Sequence, residues 1–411
     1  PRPRSTSYSY TVSLALALCQ GCITRVGRIW ADGVELSKDT LSLRVYDGSD
    51  DQLPDPKIEA VEGSGAVPAY RGLAYMVIED LDLSLFGNRV PQFSVEVVSA
   101  ANSGADKHDI ADKIRAVALI PGSGEYTLAT THVTMSKGFG QTETVNIHTP
   151  TAQPDFLVSL DALVEELPNL NSVSMVVSWF GNDLRCGTCT IEPKVEQTGT
   201  DGSQPWRVSG LSRAAAQTVP QMAGEPVYGG TPNDLSVVQA LTALAERGVG
   251  AVFYPFILMD QLAGNGLPDP WTGDANQPAL PWRGRITTSI APGQAGSPDQ
   301  TALAEAEVAS FFGTADPADF AVTGTTVTYT GPTDWGYRRF ILHYAHLCAA
   351  VGGVSAFCIG SELRGLTQIR GAGGSFPAVA ALQSLAADVA AILGPEVKIG
   401  YAADWSEYHG Y

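Results

Sequence analysis

The chain has 411 residues, more than a single hydrophobic core usually holds, and this length predicts two or three domains. It contains no uninterrupted apolar run of about 18 residues, so no membrane span is predicted. The 43 acidic residues outnumber the 25 basic ones, and the net charge of −18 would repel phosphates, which argues against direct nucleic-acid binding.

The first segment of the chain alternates apolar and polar residues. Apolar side chains recur at every second position, at Tyr8, Tyr10, Val12, Leu14, Leu16 and Leu18. This period of two is typical of a β-strand with one buried face. A cleaved signal ending at Cys19 is the alternative, because Arg2 and Arg4 precede the segment, but a signal core needs an unbroken apolar run. We therefore predict a strand.

Residues up to about 220 are mostly strand-like. The Asp32-Gly33 pair between two alternating stretches is a hairpin signal, and "SVSMVVSWF" (172–180) predicts a long apolar strand. Helical spacing occurs in "HDIADKIRAVAL" and "DFLVSLDALVEELPNL". This half is predicted to form two β-rich α+β modules, residues 1–110 and residues 111–220.

The remaining chain, residues 221–411, alternates helices with strands. Capped helical patterns occur in "PNDLSVVQALTALAERG", "SPDQTALAEAEVASFFG" and "DWGYRRFILHYAHLCAAVGG". Near-continuous apolar strands occur in "VGAVFYPFILM", "VSAFCIG" and "EVKIGYAA". Such alternation predicts an α/β domain with a parallel sheet covered by helices, either a (β/α)8 barrel or an open doubly wound sheet.

Acidic side chains follow each of these strands at the point where it ends. Asp260 follows "VFYPFILM", Ser361 and Glu362 follow "AFCIG", and Asp404 and Glu407 follow "VKIGYAA". Because the carboxyl ends of parallel strands meet at one rim, we expect these carboxylates near one another. Hydrolysis of a glycosidic bond requires two carboxyl groups about 5 to 9 Å apart. The alternative is that each acidic residue caps the following helix.

Four of the six cysteines form two CxxC pairs. Cys19 and Cys22 lie in "CQGC", and Cys186 and Cys189 lie in "CGTC". If the fold joins the two pairs, four thiolates can hold zinc or an iron–sulfur cluster. Disulfides and free thiols are the alternatives, because the pairs are much farther apart than the usual zinc spacing.

Several segments of residues 221–411 resemble a known family. They are "YGGTPNDLSVVQAL", "YPFILMDQLAGNGLPDPWTG", "PWRGRIT", "RRFILHYAHLCA", "FCIGSELRGLT" and "YAADWSEYHGY". Together they resemble the TIM-barrel-like domain of the large tail-tip protein of gene transfer agents and related siphophages, the multidomain baseplate protein or megatron. The first half resembles the same protein in "GRIWADG", "PAYRGLAYMVIEDLDLSLFGNRVPQFSVEV" and "SWFGNDLRCGTCTIEPKVE".

This resemblance implies a virion structural protein at the distal end of a tail. The implied assembly is a homotrimer around the tail axis, with a β-rich hub-like half and an attached glycoside-hydrolase-like barrel. The implied partners are the hub, distal tail and tape-measure proteins of the tail tip and a host envelope glycan. Assembly is expected in the bacterial cytoplasm.

The resemblance to retaining glycosidases of the same architecture implies a general acid/base role for Glu362. Those enzymes commonly carry Asn before the acid, where this chain has Ser361. Their nucleophile comes from a later strand, and we recognise only about three of eight barrel strands before Tyr411. The barrel is therefore expected to be incomplete, the nucleophile to lie beyond Tyr411, and the sequence to be part of a longer protein.

Substrate contacts are expected from Asp260, Asp404, Glu407 and Trp405 at the same rim. Trp271 and Trp282 also suit stacking against sugar rings, although aromatic residues equally pack in cores. Two other functions fit the sequence: a barrel kept only for glycan binding or architecture, and a free soluble glycosidase that leaves residues 1–220 without a role.

Overall fold

The computed structural model describes residues 10–99, 110–120 and 122–408. Contacts divide the chain into two compact units. The first comprises residues 1–113 with 149–152, and the second comprises residues 114–148 with 153–411. Tyr8 of the predicted N-terminal strand lies outside the described residues.

The first unit contains two three-stranded antiparallel sheets. One has the order β1-β5-β4 and the other β3-β2-β6. The elements are β1 (Thr11–Gln20), β2 (Arg25–Ala31), β3 (Val34–Leu36), β4 (Ser42–Tyr46), α1 (Pro56–Glu62), β5 (Leu73–Asp82) and β6 (Phe93–Val98). The predicted hairpin at Asp32-Gly33 is confirmed as the turn between β2 and β3.

Both sheets contribute to one hydrophobic core. Ile29 of β2 and Met76 and Ile78 of β5 are fully buried in it. The apolar face of β1 packs against this core through alternate, half-buried residues, which confirms the predicted strand. Burial of such a face stabilises the fold by about 25 cal/mol per Å² of apolar surface.

A buried carboxylate, Asp55, caps the helix of this unit. Its side chain is fully buried and accepts hydrogen bonds from Arg44 Nε (2.7 Å), Tyr46 Oη (2.7 Å) and the amides of Lys57 and Ile58. Burial alone would raise the pKa of Asp55, but these donors together lower it to about 2. The negative charge is therefore part of the folded structure.

We expect the stability of the first unit to fall in acid because of Asp55. The pKa of Asp55 is about 2 in the folded protein and about 3.9 in the unfolded chain. Its contribution to stability is therefore complete above about pH 3.9 and is lost as the pH falls through about 2. Asp55→Asn should cost about 2–3 kcal/mol at pH 6 and much less at pH 2. Denaturant unfolding at both pH values measures this, and an equal cost at both would contradict it.

The second unit is built around a sheet of parallel strands. Its strands are β7 (Ala116–Leu119), β8 (Thr134–Gly138), β9 (Gln141–Thr144), β10 (Ser172–Gly181), β11 (Ile191–Glu192), β12 (Lys194–Val195), β13 (Arg207–Val208), β14 (Leu211–Ser212), β15 (Gln217–Thr218), β16 (Gln221–Met222), β17 (Glu225–Pro226), β18 (Gly250–Met259), β19 (Phe320–Thr323), β20 (Thr326–Tyr329), β21 (Val354–Ser361) and β22 (Lys398–Ala402). Its helices are α2 (Asp155–Glu166), α3 (Asp234–Glu246), α4 (Ala302–Phe312), α5 (Tyr337–Val351), α6 (Arg364–Thr367) and α7 (Pro377–Leu393).

Strands β10, β18, β21 and β22 are neighbours in that order and run parallel. Strand β7 pairs in parallel with the start of β10, and β11 pairs antiparallel with its end. Alternate residues of β10 and β18 are fully buried. The buried residues join one core with α3, α5 and α7, where the rings of Phe253, Phe357 and Tyr344 meet.

This sheet corrects the predicted boundary at residue 220. Residues 172–181 pair with residues 250–259 over ten consecutive positions, so residues 114–220 do not form a module apart from residues 221–411. The apolar composition of "SVSMVVSWF" was recognised, but composition alone does not reveal which strand is the partner. The parallel sheet therefore contains β7 and β10 besides the three strands predicted for it. No helix of the described residues is long and apolar enough to cross a membrane.

Candidate functional site

A carboxylate, an arginine and an indole meet at the carboxyl end of β21. Glu362 directly follows this strand, and its Oε2 accepts hydrogen bonds from Arg283 Nη2 (2.7 Å) and Trp282 Nε1 (2.8 Å). Both donors come from the long segment after β18. Both donors reach Oε2, and no hydrogen bond to Oε1 is found among the described residues, so Oε1 is left to meet a ligand. We call Trp282, Arg283 and Glu362 the strand-end cluster.

Arg283 is the buried centre of the strand-end cluster. Its side chain is 7% exposed and donates to the Ser361 carbonyl (Nε, 2.9 Å) and to Ser361 Oγ (Nη2, 2.8 Å). The guanidinium also lies 3.7 Å from the ring centroid of Phe256 on β18. Burial lowers the pKa of Arg283 from its ordinary value, and the charge of Glu362 opposes this shift. The group still carries its charge at neutral pH.

The backbone at Glu362 adopts an unusual conformation. Its φ of +50° lies in the left-handed region, which costs a residue with a side chain about 1–3 kcal/mol. The Glu362 amide donates to the Ala402 carbonyl (2.8 Å), and this bond ties the residue to the end of β22. Ten other described non-glycine residues also have a positive φ, so this conformation alone does not mark a functional residue.

Asp404 and Glu407 form a capping box around the short helix Trp405–Glu407. Asp404 accepts from the Ser406 amide, and the Asp404 amide donates to Glu407 (2.7 Å). Glu407 Oε1 also accepts from Tyr401 Oη (2.9 Å). Both carboxylates therefore cap a helix in the structure, and their contact with substrate stays a prediction. Trp405 is 77% exposed and stays a predicted glycan contact.

Asp260 is placed in a buried ion pair rather than on an accessible rim. It is 2% exposed, and Lys194 Nζ lies 2.6 Å from its Oδ2. Burial raises the pKa of Asp260, while the ammonium of Lys194 opposes that shift. The expectation that Asp260 contacts substrate is corrected on this ground: its carboxylate already has a partner and faces no solvent.

The two CxxC pairs lie in different compact units. Cys19 and Cys22 belong to the first, and Cys186 and Cys189 belong to the second. Within the described residues, no group of three or more His, Cys, Asp or Glu side chains is arranged to hold a metal ion. All six cysteines are free thiols.

Burial should make the second pair of thiols unreactive. Cys186 and Cys189 are buried, and burial raises the pKa of both thiols, that of Cys189 to about 12. At pH 8, iodoacetamide should label the exposed Cys22 and reach Cys186 and Cys189 only after unfolding. Mass spectrometry of the labelled peptides measures this. Equal labelling rates for Cys22 and Cys186, or labelling of either pair that depends on a chelator, would contradict it.

Sequence reasoning missed Arg283 and Tyr254. Tyr254, on β18, lies 2.5 Å through its hydroxyl from Ser361 Oγ. Arg283 lies in "PWRGRIT", one of the segments that carried the family resemblance, but nothing in the sequence places it beside Glu362, 79 residues later. A carboxylate held at the end of an apolar strand needs a counter-charge, and this arginine supplies it.

The fold and the site together define the class of protein. It is an α/β protein whose parallel sheet packs against helices and whose strand ends carry a carboxylate–arginine–indole cluster. Residues 335–411 match the family model of the GTA TIM-barrel-like domain. The match contains Glu362 and confirms the resemblance that the sequence motifs indicated.

Solved structures give three further similarities. A chain in "Virion of native gene transfer agent (GTA) particle" is 59% identical over 28% of this chain and 26% of that chain, with a TM-score of 0.24. A GH113 β-1,4-mannanase in a complex structure is 11% identical over 71% of this chain and 55% of that chain, with a TM-score of 0.31. A second GH113 β-1,4-mannanase structure is 10% identical over 70% and 54%, with a TM-score of 0.32. A search of curated proteins gave no match.

Proposed function

We propose that the chain is a structural component of a gene transfer agent or related phage tail and that its strand-end cluster binds a host envelope glycan. The observation that carries the glycan role is the fixed contact of Glu362 with Trp282 and Arg283 at the end of β21. The family of residues 335–411 and the 59% identity to a virion chain support the tail role over a free glycosidase.

The cluster has the groups that bind sugars. Trp282 is 38% exposed, and an indole face packs well against the apolar face of a pyranose ring. Glu362 Oε1 is left to accept hydrogen bonds from sugar hydroxyls. The buried Arg283 fixes the carboxylate, so little side-chain entropy is lost when a glycan binds.

Hydrolysis requires more than the cluster itself. A glycosidase needs a protonated acid and a second carboxyl group about 5 to 9.5 Å away. Arg283 and Trp282 both donate to Glu362, an arrangement suited to a negatively charged acceptor. Glycan binding is therefore the function that the geometry supports best, and cleavage would require a second carboxyl group at that distance from Glu362.

The proposal extends to the position, oligomeric state and partners of the chain in the tail. We place the chain at the distal tip of the tail, as a homotrimer around the tail axis that contacts hub, distal tail and tape-measure proteins. The first unit would serve as the hub-like part, and assembly would take place in the bacterial cytoplasm. Electron microscopy of particles labelled on this chain tests the position.

One experiment distinguishes three outcomes: the chain binds envelope glycan, cleaves it, or does neither. The full chain, Glu362→Gln and a matched control, Glu396→Gln, are incubated with host peptidoglycan and surface polysaccharide, and bound protein and reducing ends are measured. Glu396 is exposed just before β22, at the opposite end of the sheet. Binding that falls about 10-fold or more only in Glu362→Gln supports a binding site. Reducing ends released by the parent but not by Glu362→Gln make it a hydrolase, and no binding to either glycan overturns the glycan role.

A further inference from the structure

A cavity lies beside the strand-end cluster and shares Trp282 with it. Its volume is about 260 Å³, and its walls include Trp271, Trp282, Arg285, Arg364, Gly365 and Gln368. Sites for drug-sized ligands usually have about 300–1,000 Å³, so this cavity suits a single sugar ring. It is called the arginine pocket here.

Two glycines allow the walls of the arginine pocket to come together. A Cβ at Gly365 would lie 2.5 Å from the Ile286 carbonyl oxygen and 3.2 Å from the Trp271 ring. A Cβ at Gly284 would lie 2.4 Å from the Trp282 ring. Trp271 Nε1 donates to the Arg285 carbonyl (2.7 Å), which fixes the second indole. The pocket is thus a formed feature of the fold.

The arginine pocket, unlike the strand-end cluster, contains an arginine without a carboxylate partner among the described residues. Arg283 is paired with Glu362, and Arg285 is paired with the buried Asp269 (3.2 Å). Arg364 is exposed and forms no ion pair within the described part of the chain. The carboxylate that it influences electrostatically, Asp404, is engaged by the Ser406 amide. In a chain with a net charge of −18, this pocket therefore offers a guanidinium that no carboxylate of the described residues pairs with.

We propose that the arginine pocket binds the carboxylate of an acidic sugar next to the sugar held at the strand-end cluster. The inference rests on the proposed function and names its ligand class: glycans whose pyranose rings carry carboxylates. A planar guanidinium recognises a carboxylate through two parallel hydrogen bonds, and the side-chain amide of Gln368 supplies a further donor. The indoles of Trp271 and Trp282 flank the space for the ring.

Recognition of the carboxylate should appear as a preference for the acidic form of one polymer. A charge-assisted hydrogen bond contributes about 1.5–3 kcal/mol, so removal of the carboxylate should weaken binding roughly 10- to 100-fold. A neutral sugar does not bind Arg364 through a carboxylate, so it loses only the free energy of this charge-assisted hydrogen bond. Its stacking on Trp282 remains.

The test compares each glycan before and after chemical reduction of its carboxyl groups. The probes are host surface polysaccharide and glycan strands stripped of peptide by an amidase. The proteins are the full chain, Arg364→Gln and Lys398→Gln, the last removing a positive charge from an exposed position at the start of β22. We expect the parent and Lys398→Gln to prefer the acidic form at least 10-fold and Arg364→Gln to lose that preference.

The outcomes separate this inference from the proposed function. Equal affinity of the parent for both forms, or a preference that survives in Arg364→Gln, overturns the acidic-sugar assignment and leaves glycan binding intact. If neither form of either glycan binds, the proposed function fails and this inference fails with it.

Discussion

Arg283→Met is expected to destabilise the second unit by about 3–5 kcal/mol. The substitution keeps much of the side-chain volume but removes the positive charge and all three donated hydrogen bonds. It leaves the Ser361 carbonyl and hydroxyl without this donor in a buried site, and Glu362 without its counter-charge. Each unsatisfied buried group adds about 1–3 kcal/mol to the cost.

Denaturant unfolding of the full chain, followed by fluorescence and circular dichroism, measures the effect. Lys137→Gln is the control, because Lys137 is 62% exposed and pairs with Glu143, which is 53% exposed. Surface pairs of this type contribute about 0–1 kcal/mol. A loss for Arg283→Met no larger than that of the control would contradict the buried role of the guanidinium.

Lys194→Met is expected to cost a similar amount, about 3–5 kcal/mol, for a related reason. It leaves the carboxylate of Asp260 buried and unpaired, since Lys194 is 9% and Asp260 3% exposed at the side chain. The double variant Lys194→Met/Asp260→Leu should recover most of the loss. Replacing a buried pair by apolar residues of similar volume is often neutral or stabilising.

The same variants test the structural assignment of Asp260. A double variant that folds stably should bind envelope glycan as the parent does, because the pair has no exposed surface to offer a ligand. A double variant as unstable as Lys194→Met would show that the pair contributes more than charge compensation. Loss of glycan binding in the stable double variant would return Asp260 to the binding site.

Local patterns predicted the elements of this chain well. The period of two in β1, the helical pattern of α3 and the apolar runs of β18 and β21 are features of neighbouring residues, and the structure contains each element. The segment "HDIADKIRAVAL" was predicted as a helix, but its last four residues form β7. Pairing with β10 outweighed helix propensity there.

Contacts between distant segments could not be predicted. The pairing of β10 with β18 joins residues about 78 positions apart, and nothing in either sequence states the partner. The position of Glu362 followed from the end of its strand, whereas its bond to Arg283 depends on how a long loop folds back. The ion pair of Lys194 with Asp260 also joins distant segments, and it places Asp260 in a buried site instead of at the rim.

The central claim is that the strand-end cluster is a glycan site. A crystal structure of the full chain with an oligosaccharide from the host envelope tests it most directly. The account predicts a pyranose ring against the indole of Trp282 and a sugar hydroxyl within about 2.6–3.2 Å of Glu362 Oε1. An oligosaccharide bound elsewhere on the chain, with the cluster in contact only with water, would contradict it.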